Sequence, residues 1–124
     1  MKYISTRNNK KAIDFESVSL KGLANDGGLY LPKDWSIENF KFSKKEIDFQ
    51  NIAYYVIKNF VGDILSKADL KEIISKSYDN FSSKKVTPLN KLEENHWLLE
   101  LYHGPTLAFK DIALQLLGNL FNFF

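Results

Sequence analysis

The chain has no cysteine, three prolines and one methionine among its 124 residues. Without cysteine there can be no disulfide and no thiolate metal site, and the composition fits a reducing cytoplasm. An excess of one charge is also missing. Seventeen Lys and Arg stand against fifteen Asp and Glu, a formal net charge of +2 spread along the chain. No concentrated basic face follows from such interleaving, so nucleic acid is not an expected partner. Long hydrophobic runs are absent too. Residues 1–11 lack the apolar stretch of a signal peptide. The longest apolar segment, 111–124, is interrupted by Gln115, Gly118, Asn119 and Asn122, too short and broken to span a bilayer. A soluble cytoplasmic protein without a membrane partner is expected. His96 has no ligating neighbour at useful spacing, so no metal is expected. Internal repeats and low-complexity tracts are missing as well.

What is present suits one globular domain: 44% hydrophobic and 15% aromatic residues are enough to build a core. Tyr3–Arg7 alternates apolar and polar and reads as a strand. Asp14 onward suits a short helix with Ile13, Val18, Leu20 and Leu23 as its apolar positions. Asn25-Asp26-Gly27-Gly28 is a turn signal, and Leu29-Tyr30-Leu31 a strand stopped by Pro32. Residues 33–45 read as loop. Ile52, Tyr55, Val56 and Phe60 recur at helical spacing between Ile47 and Phe60. A second helix opens at Ser66 with a capping-box-like start and lines up Leu70, Ile73, Ile74, Ser77 and Phe81. Val86–Leu89 and Trp97–Tyr102 are strand candidates, the latter bulky and apolar as a buried strand should be. The order is mixed α and β, ending in a strand–loop–helix unit without a partner strand of its own.

That last helix holds the chemically suggestive residue. At 100° per residue, Asp111, Gln115, Asn119 and Asn122 share a narrow polar stripe, whereas Lys110 projects with Ala113, Leu114, Leu117 and Phe121 on a side that reads as core. Gly104 and Pro105 set the approach, Thr106 is the candidate N-cap, and Lys110 falls about four residues into the helix. Apolar neighbours and the positive end of the helix dipole disfavour an ammonium there. Asp111, next in sequence, favours it but points away around the helix. An easily deprotonated lysine is what Schiff-base chemistry with a carbonyl compound requires. On spacing alone the favoured reading is a lysine that buries its stem and extends its head to water, and Lys110 is a candidate and no more. The helix ends at Asn122-Phe123-Phe124 with no glycine, proline or basic residue, which points to the front portion of a longer protein.

Glu100-Leu-Tyr-His-Gly-Pro-Thr-Leu-Ala-Phe-Lys-Asp-Ile-Ala-Leu-Gln115 closely resembles the segment around the cofactor lysine of the threonine synthase family. Those enzymes use pyridoxal phosphate and have the tryptophan-synthase-β-like fold. Tyr3-Ile-Ser-Thr-Arg7 and Gly22-Leu-Ala-Asn-Asp-Gly-Gly-Leu-Tyr-Leu-Pro32 resemble the family's N-terminal domain, in the same order and spacing. Where the family usually has glycine after Ser-Thr-Arg, this chain has Asn8, a residue that tolerates positive φ. The middle helices resemble the family only weakly.

The resemblance implies an α/β protein, with a mixed N-terminal domain over 1–84 and, over 85–124, the first strand–loop–helix of a fold-type II pyridoxal-phosphate domain. Lys110 would be both catalytic and cofactor-binding, holding pyridoxal 5′-phosphate as a Schiff base. The full enzyme would convert O-phospho-L-homoserine and water to L-threonine and phosphate. His103, Thr106 and Arg7 are further candidates, with simpler roles favoured: a loop residue bonded to backbone, a helix cap, and a surface or inter-strand ion pair. Asp26-Gly27-Gly28 reads as a turn rather than a phosphate cradle. Family members are several times longer, and their phosphate-binding loop and most of the substrate pocket lie beyond the lysine helix. The 124 residues alone are therefore expected not to make threonine. Two alternatives stay open at this level: a related phospholyase on another phosphorylated amino alcohol, and a non-catalytic folding or interaction module. Oligomeric state is left open.

Overall fold

A computed structural model describes residues 1–35 and 47–124. Most of the expected 33–45 loop lies outside the described residues. Strand β1 (Tyr3–Ser5) pairs antiparallel with β2 (Tyr30–Pro32) in the register Tyr3↔Pro32, Ile4↔Leu31 and Ser5↔Tyr30. Between them runs α1 (Phe15–Lys21), started by Asp14, whose carboxylate accepts from Ser17 N at 2.9 Å. The tight turn after it is locked from both sides. The Asp26 carboxylate accepts from Gly28 N at 2.9 Å and from Ser5 Oγ at 2.8 Å, and Gly27 takes the left-handed φ of 75°. Leu20 and Leu23, expected to face the core, are exposed. Phe15 packs against it instead, and Gly22 ends the helix before Leu23.

The core lies among three helices: α2 (Phe49–Val61), α3 (Lys67–Tyr78) and α4 (Asp111–Phe123). A short 3-10 turn over Gly62–Ile64 links the first two. Ser66 caps α3 as expected, accepting from Asp69 N at 3.1 Å and donating to the Asp69 carboxylate at 2.6 Å. Leu70, Ile73, Ile74 and Phe81 are buried with Val61, Leu65 and Leu120. Each such side chain contributes about 1.5–3 kcal/mol by leaving water. On α2 the expected face is corrected. Ile52 and Val56 are exposed, and Phe49, Ala53, Tyr54, Ile57 and Val61 meet the core. The helix is apolar nearly all round, so periodicity alone does not select its inner side. Tyr3 ties the sheet to this bundle, its hydroxyl donating to Phe60 O at 2.6 Å.

The C-terminal strands differ most from expectation. Val86 is not in a strand but in a tight turn at φ 58°, where its N–H donates to Ser83 O at 2.9 Å. A β-branched residue held there stores strain of about 1–3 kcal/mol, tolerated because its side chain is buried in the core. Strand β3 (Leu89–Glu93) pairs with β4 (His96–Leu99) as an antiparallel hairpin, with a register shift between Lys91 and Glu93. The second strand thus has a partner, and both strands are exposed along their whole length rather than buried.

Candidate functional site

The segment before α4 is anchored at both ends. At its start, His103 Nε2 lies 2.6 Å from the Glu100 carboxylate and Nδ1 lies 3.1 Å from Ser82 Oγ, while His103 O accepts from Ser82 N at 2.9 Å. An ionised Glu100 requires the proton on Nε2, which leaves Nδ1 to accept from Ser82 in the neutral ring. The bond from His103 holds the Glu100 carboxyl below the usual range, against the effect of burial, with Tyr102 and Asn90 adding to it. Asn90 Nδ2 reaches the other Glu100 oxygen at 2.6 Å, so the same carboxylate fastens the β3–β4 hairpin. His103 is a structural joint, but its ring bonds the Glu100 and Ser82 side chains rather than the backbone expected of it.

At the far end the anchor is Asp111. Its carboxylate accepts from Thr106 N at 2.8 Å through one oxygen and from Thr106 Oγ1 at 2.9 Å through the other. Only 3% of Asp111 is exposed. Burial works to raise its pKa, but the bonds from Thr106 and Gln115 outweigh it and hold the carboxyl below the usual range. Gly104 packs so closely on this side chain that a Cβ would overlap the Asp111 carboxylate. Between the two, Leu107 adopts φ 62° and its N–H donates to Gly104 O at 3.1 Å.

Two expectations about the helix start are corrected. Thr106 does not cap it, because its hydroxyl and amide both turn to Asp111. Lys110 is not four residues inside either: it is the N-cap residue itself, in right-handed helical geometry at φ −64° and ψ −20°. Residues 105–110 spend themselves in successive turns before the helix begins. The amides of Asp111, Ile112 and Ala113 are taken by the carbonyls of Ala108, Phe109 and Lys110, so the first turn offers no open anion site.

The inner and outer sides of α4 are also reversed. The polar stripe faces α3: Asn119 Nδ2 donates to Ser77 Oγ at 3.1 Å, and Ser77 Oγ lies 3.4 Å from Gln115 O. Alongside, Ile112, Leu116 and Leu120 meet the core, and Tyr78 OH donates to Ile112 O at 2.9 Å. The stripe with Lys110 faces outward, with Ala113, Leu114, Leu117 and Phe121 all exposed. Leu107 at 71% and Phe109 at 64% continue it into the loop. Lys110 Nζ has no hydrogen-bond or ion-pair partner among the described residues.

His103 and Thr106 therefore share a loop with Lys110 but do not offer free groups beside it. Arg7 belongs elsewhere, its Nη1 donating to Asp26 O at 3.0 Å in the turn between α1 and β2. Asp111 is the residue that sequence reasoning missed. It belongs to the polar stripe yet is buried, and the glycine seven positions earlier is the one sequence signal of a close approach. Among the described residues no group of three His, Asp or Glu is placed to hold a metal, and no helix is long and apolar enough to cross a membrane.

Comparison with known proteins places this geometry in context. A family model described as Threonine synthase N terminus matches residues 2–78. The threonine synthase of Pseudomonas aeruginosa is 46% identical over 126 residues, covering 97% of this chain and 26% of the relative. That of Saccharomyces cerevisiae is 40% identical over 140 residues, covering 98% of this chain and 26% of the relative. Among solved structures, a PLP-bound threonine synthase from Brucella melitensis aligns with a TM-score of 0.87 at 36% identity, covering 99% of this chain and 27% of that one. The yeast enzyme aligns at 0.86 with 39% identity, covering 98% and 26%. The chain spans about a quarter of the length of these relatives.

Proposed function

The chain belongs to the threonine synthase family, and on that premise we propose that Lys110 is the lysine that holds pyridoxal 5′-phosphate in a lyase of which these residues form the N-terminal portion. The whole protein converts O-phospho-L-homoserine and water to L-threonine and phosphate. It works in the cytoplasm, on a small-molecule substrate, without nucleic-acid or membrane partners. Residues 1–84 form its N-terminal domain and residues 85–124 begin the cofactor-binding domain. The family match that ends at residue 78 supports that division, although α4 shares its core with α3.

The observation that carries the proposal is the Lys110 amine, without a partner among the described residues and presented on an exposed apolar stripe at the start of α4. The residues present fit a carbonyl-bearing cofactor at that one atom. The first-turn amides of α4 do not anchor its phosphate, since they are already bonded to the carbonyls of Ala108, Phe109 and Lys110. When bound, pyridoxal phosphate supplies an electron sink for charge developing at the substrate Cα. Lys110 Nζ would hold the cofactor's aldehyde carbon and, as an amine beside the substrate, would move the proton at Cα. Leu107, Phe109 and Leu114, all exposed, are the apolar side chains that would exclude water if the remainder of the protein covers this side.

Treating the chain with pyridoxal phosphate, reducing with borohydride and mapping the peptides is expected to place the adduct on Lys110, and Lys110→Ala to abolish it. An adduct spread evenly over the exposed lysines would overturn the assignment. Phosphate release from O-phospho-L-homoserine by the 124 residues with cofactor is expected to stay at the blank. Release above it would show that these residues already contain the catalytic apparatus.

A further inference from the structure

We infer that Asp111 is a positioning residue for Lys110, acting through Thr106 to fix the loop 104–110 that delivers the lysine to the start of α4. The inference rests on Lys110 being the cofactor lysine. Although Asp111 is adjacent in sequence, its carboxylate forms no ion pair with Lys110. Each oxygen bonds to Thr106, five positions back, through Thr106 N at 2.8 Å and Thr106 Oγ1 at 2.9 Å, with a further bond from Gln115. The clamp therefore acts by geometry rather than by pulling on the lysine charge.

Three further features show that the loop is held against its own preferences. Leu107, a non-glycine residue 71% exposed to solvent, sits at φ 62° with no buried packing of its own side chain to keep it there. Gly104 lies so close to the Asp111 carboxylate that no side chain fits. The Asp111 amide meanwhile donates to Ala108 O at 3.0 Å, closing the loop a second time from the same residue. Side chain and backbone of Asp111 together hold residues 104, 106 and 108. What remains between the clamp and α4 is Phe109 and Lys110. With the clamp closed, the Lys110 Cα–Cβ direction is set. With it open, the turns 105–110 lose the anchor that fixes them.

Asp111→Asn tests this directly. The amide keeps the size but turns an N–H toward one of the two Thr106 donors. Exchange of the Thr106 and Leu107 amides, followed by hydrogen–deuterium exchange, is expected to accelerate about tenfold or more, the factor that losing one charged hydrogen bond gives. The ratio of pyridoxal-phosphate adduct on Lys110 to that on exposed Lys33, trapped by borohydride, is expected to fall severalfold while the helical circular dichroism holds. Thr106→Ser keeps both donors and should match the wild type, whereas Thr106→Val loses one and should fall between. Thr106 is exposed, so its variants test the same clamp if Asp111→Asn does not fold. Unchanged exchange in Asp111→Asn and Thr106→Val would overturn the inference, as would faster exchange with an unchanged Lys110 preference. If the wild-type chain shows no preference for Lys110 at all, the cofactor assignment fails, and exchange alone then decides whether the clamp holds the loop.

Discussion

Helices α3 and α4 lie against each other and are of nearly equal length, 12 and 13 residues, yet they dispose of their apolar residues in opposite ways. α3 buries Leu70, Ile73, Ile74, Ser77 and Tyr78 and turns Lys67, Lys71, Glu72 and Lys76 to water. Its amphipathicity is complete within this chain. α4 turns Asp111, Gln115 and Asn119 inward beside Ile112, Leu116 and Leu120, and leaves a second apolar stripe outside. Polar groups can face inward because each finds a partner, Asn119 at Ser77 on α3 and Asp111 at Thr106, and among the described residues no buried side-chain polar atom is left unbonded. One helix serves one core. The other has a second apolar side on which Lys110 stands, and an exposed stripe of that kind marks a surface for something else to cover.

The largest effect that separates the two sides is expected in their shared seam. Ile74 is 1% exposed at the centre of the cluster, so Ile74→Ala should cost about 2–5 kcal/mol through lost burial and the cavity left behind. Urea unfolding followed by helical circular dichroism measures it. A cost below about 1 kcal/mol would mean that α3 is not the organising element of the core.

The seam was largely legible in the sequence, and its far side was not. Ser66 and the run Leu70, Ile73, Ile74, Ser77 announce α3, because a cap and a single apolar stripe point to one answer. α4 announces itself equally well as a helix, but its two apolar stripes flank one polar stripe. Periodicity says which residues cluster, not which cluster is inside. Asp111 was unreadable for the same reason: its partner is the Thr106 backbone and hydroxyl, a contact made by a loop whose left-handed Leu107 no local preference signals. The start of α4 shifted to Lys110 because Thr106, a good cap by residue type, had a better acceptor in Asp111. The β3–β4 hairpin was missed because Trp97, Leu98 and Leu99 suggest a buried strand and in this chain are exposed. Lys110 itself was singled out by its odd place on the helix and by the resemblance of its surroundings. Its outward direction needed the structure.

A smaller effect, reaching both ends of the molecule, should appear at high pH. Burial pushes the hydroxyls of Tyr3 and Tyr78 up to about 12 from the usual 10. The fold therefore prefers the neutral phenols. Their contribution is complete below pH 10 and is lost as the pH rises from there through about 12. Each tyrosine adds a slope of at most about 1.4 kcal/mol per pH unit in that window. Tyr3 joins the β1–β2 sheet to α2, whereas Tyr78 joins α3 to α4. Tyr78→Phe should cost about 1 kcal/mol at neutral pH and remove roughly half of the alkaline slope. An undiminished slope in that variant would assign the alkaline sensitivity to the sheet side alone.

The smallest change in stability is expected on the outer stripe of α4, and there a near-zero result carries the contrast between the two helices. Leu117 is 37% exposed and Leu114 53%. Replacing the more exposed Leu114 by Ser removes only part of a side chain's burial, so the unfolding free energy of the chain should move by less than about 1 kcal/mol. The same substitution should lower the binding of an apolar dye such as ANS and any self-association of the chain, because both depend on the exposed stripe. A loss comparable to that of Ile74→Ala would show the stripe already covered in solution, and α4 would then be as self-contained as α3. Unchanged stability with reduced dye binding keeps the two helices distinct: the seam holds this unit together, and the stripe around Lys110 is apolar for a purpose that stability of the chain does not require.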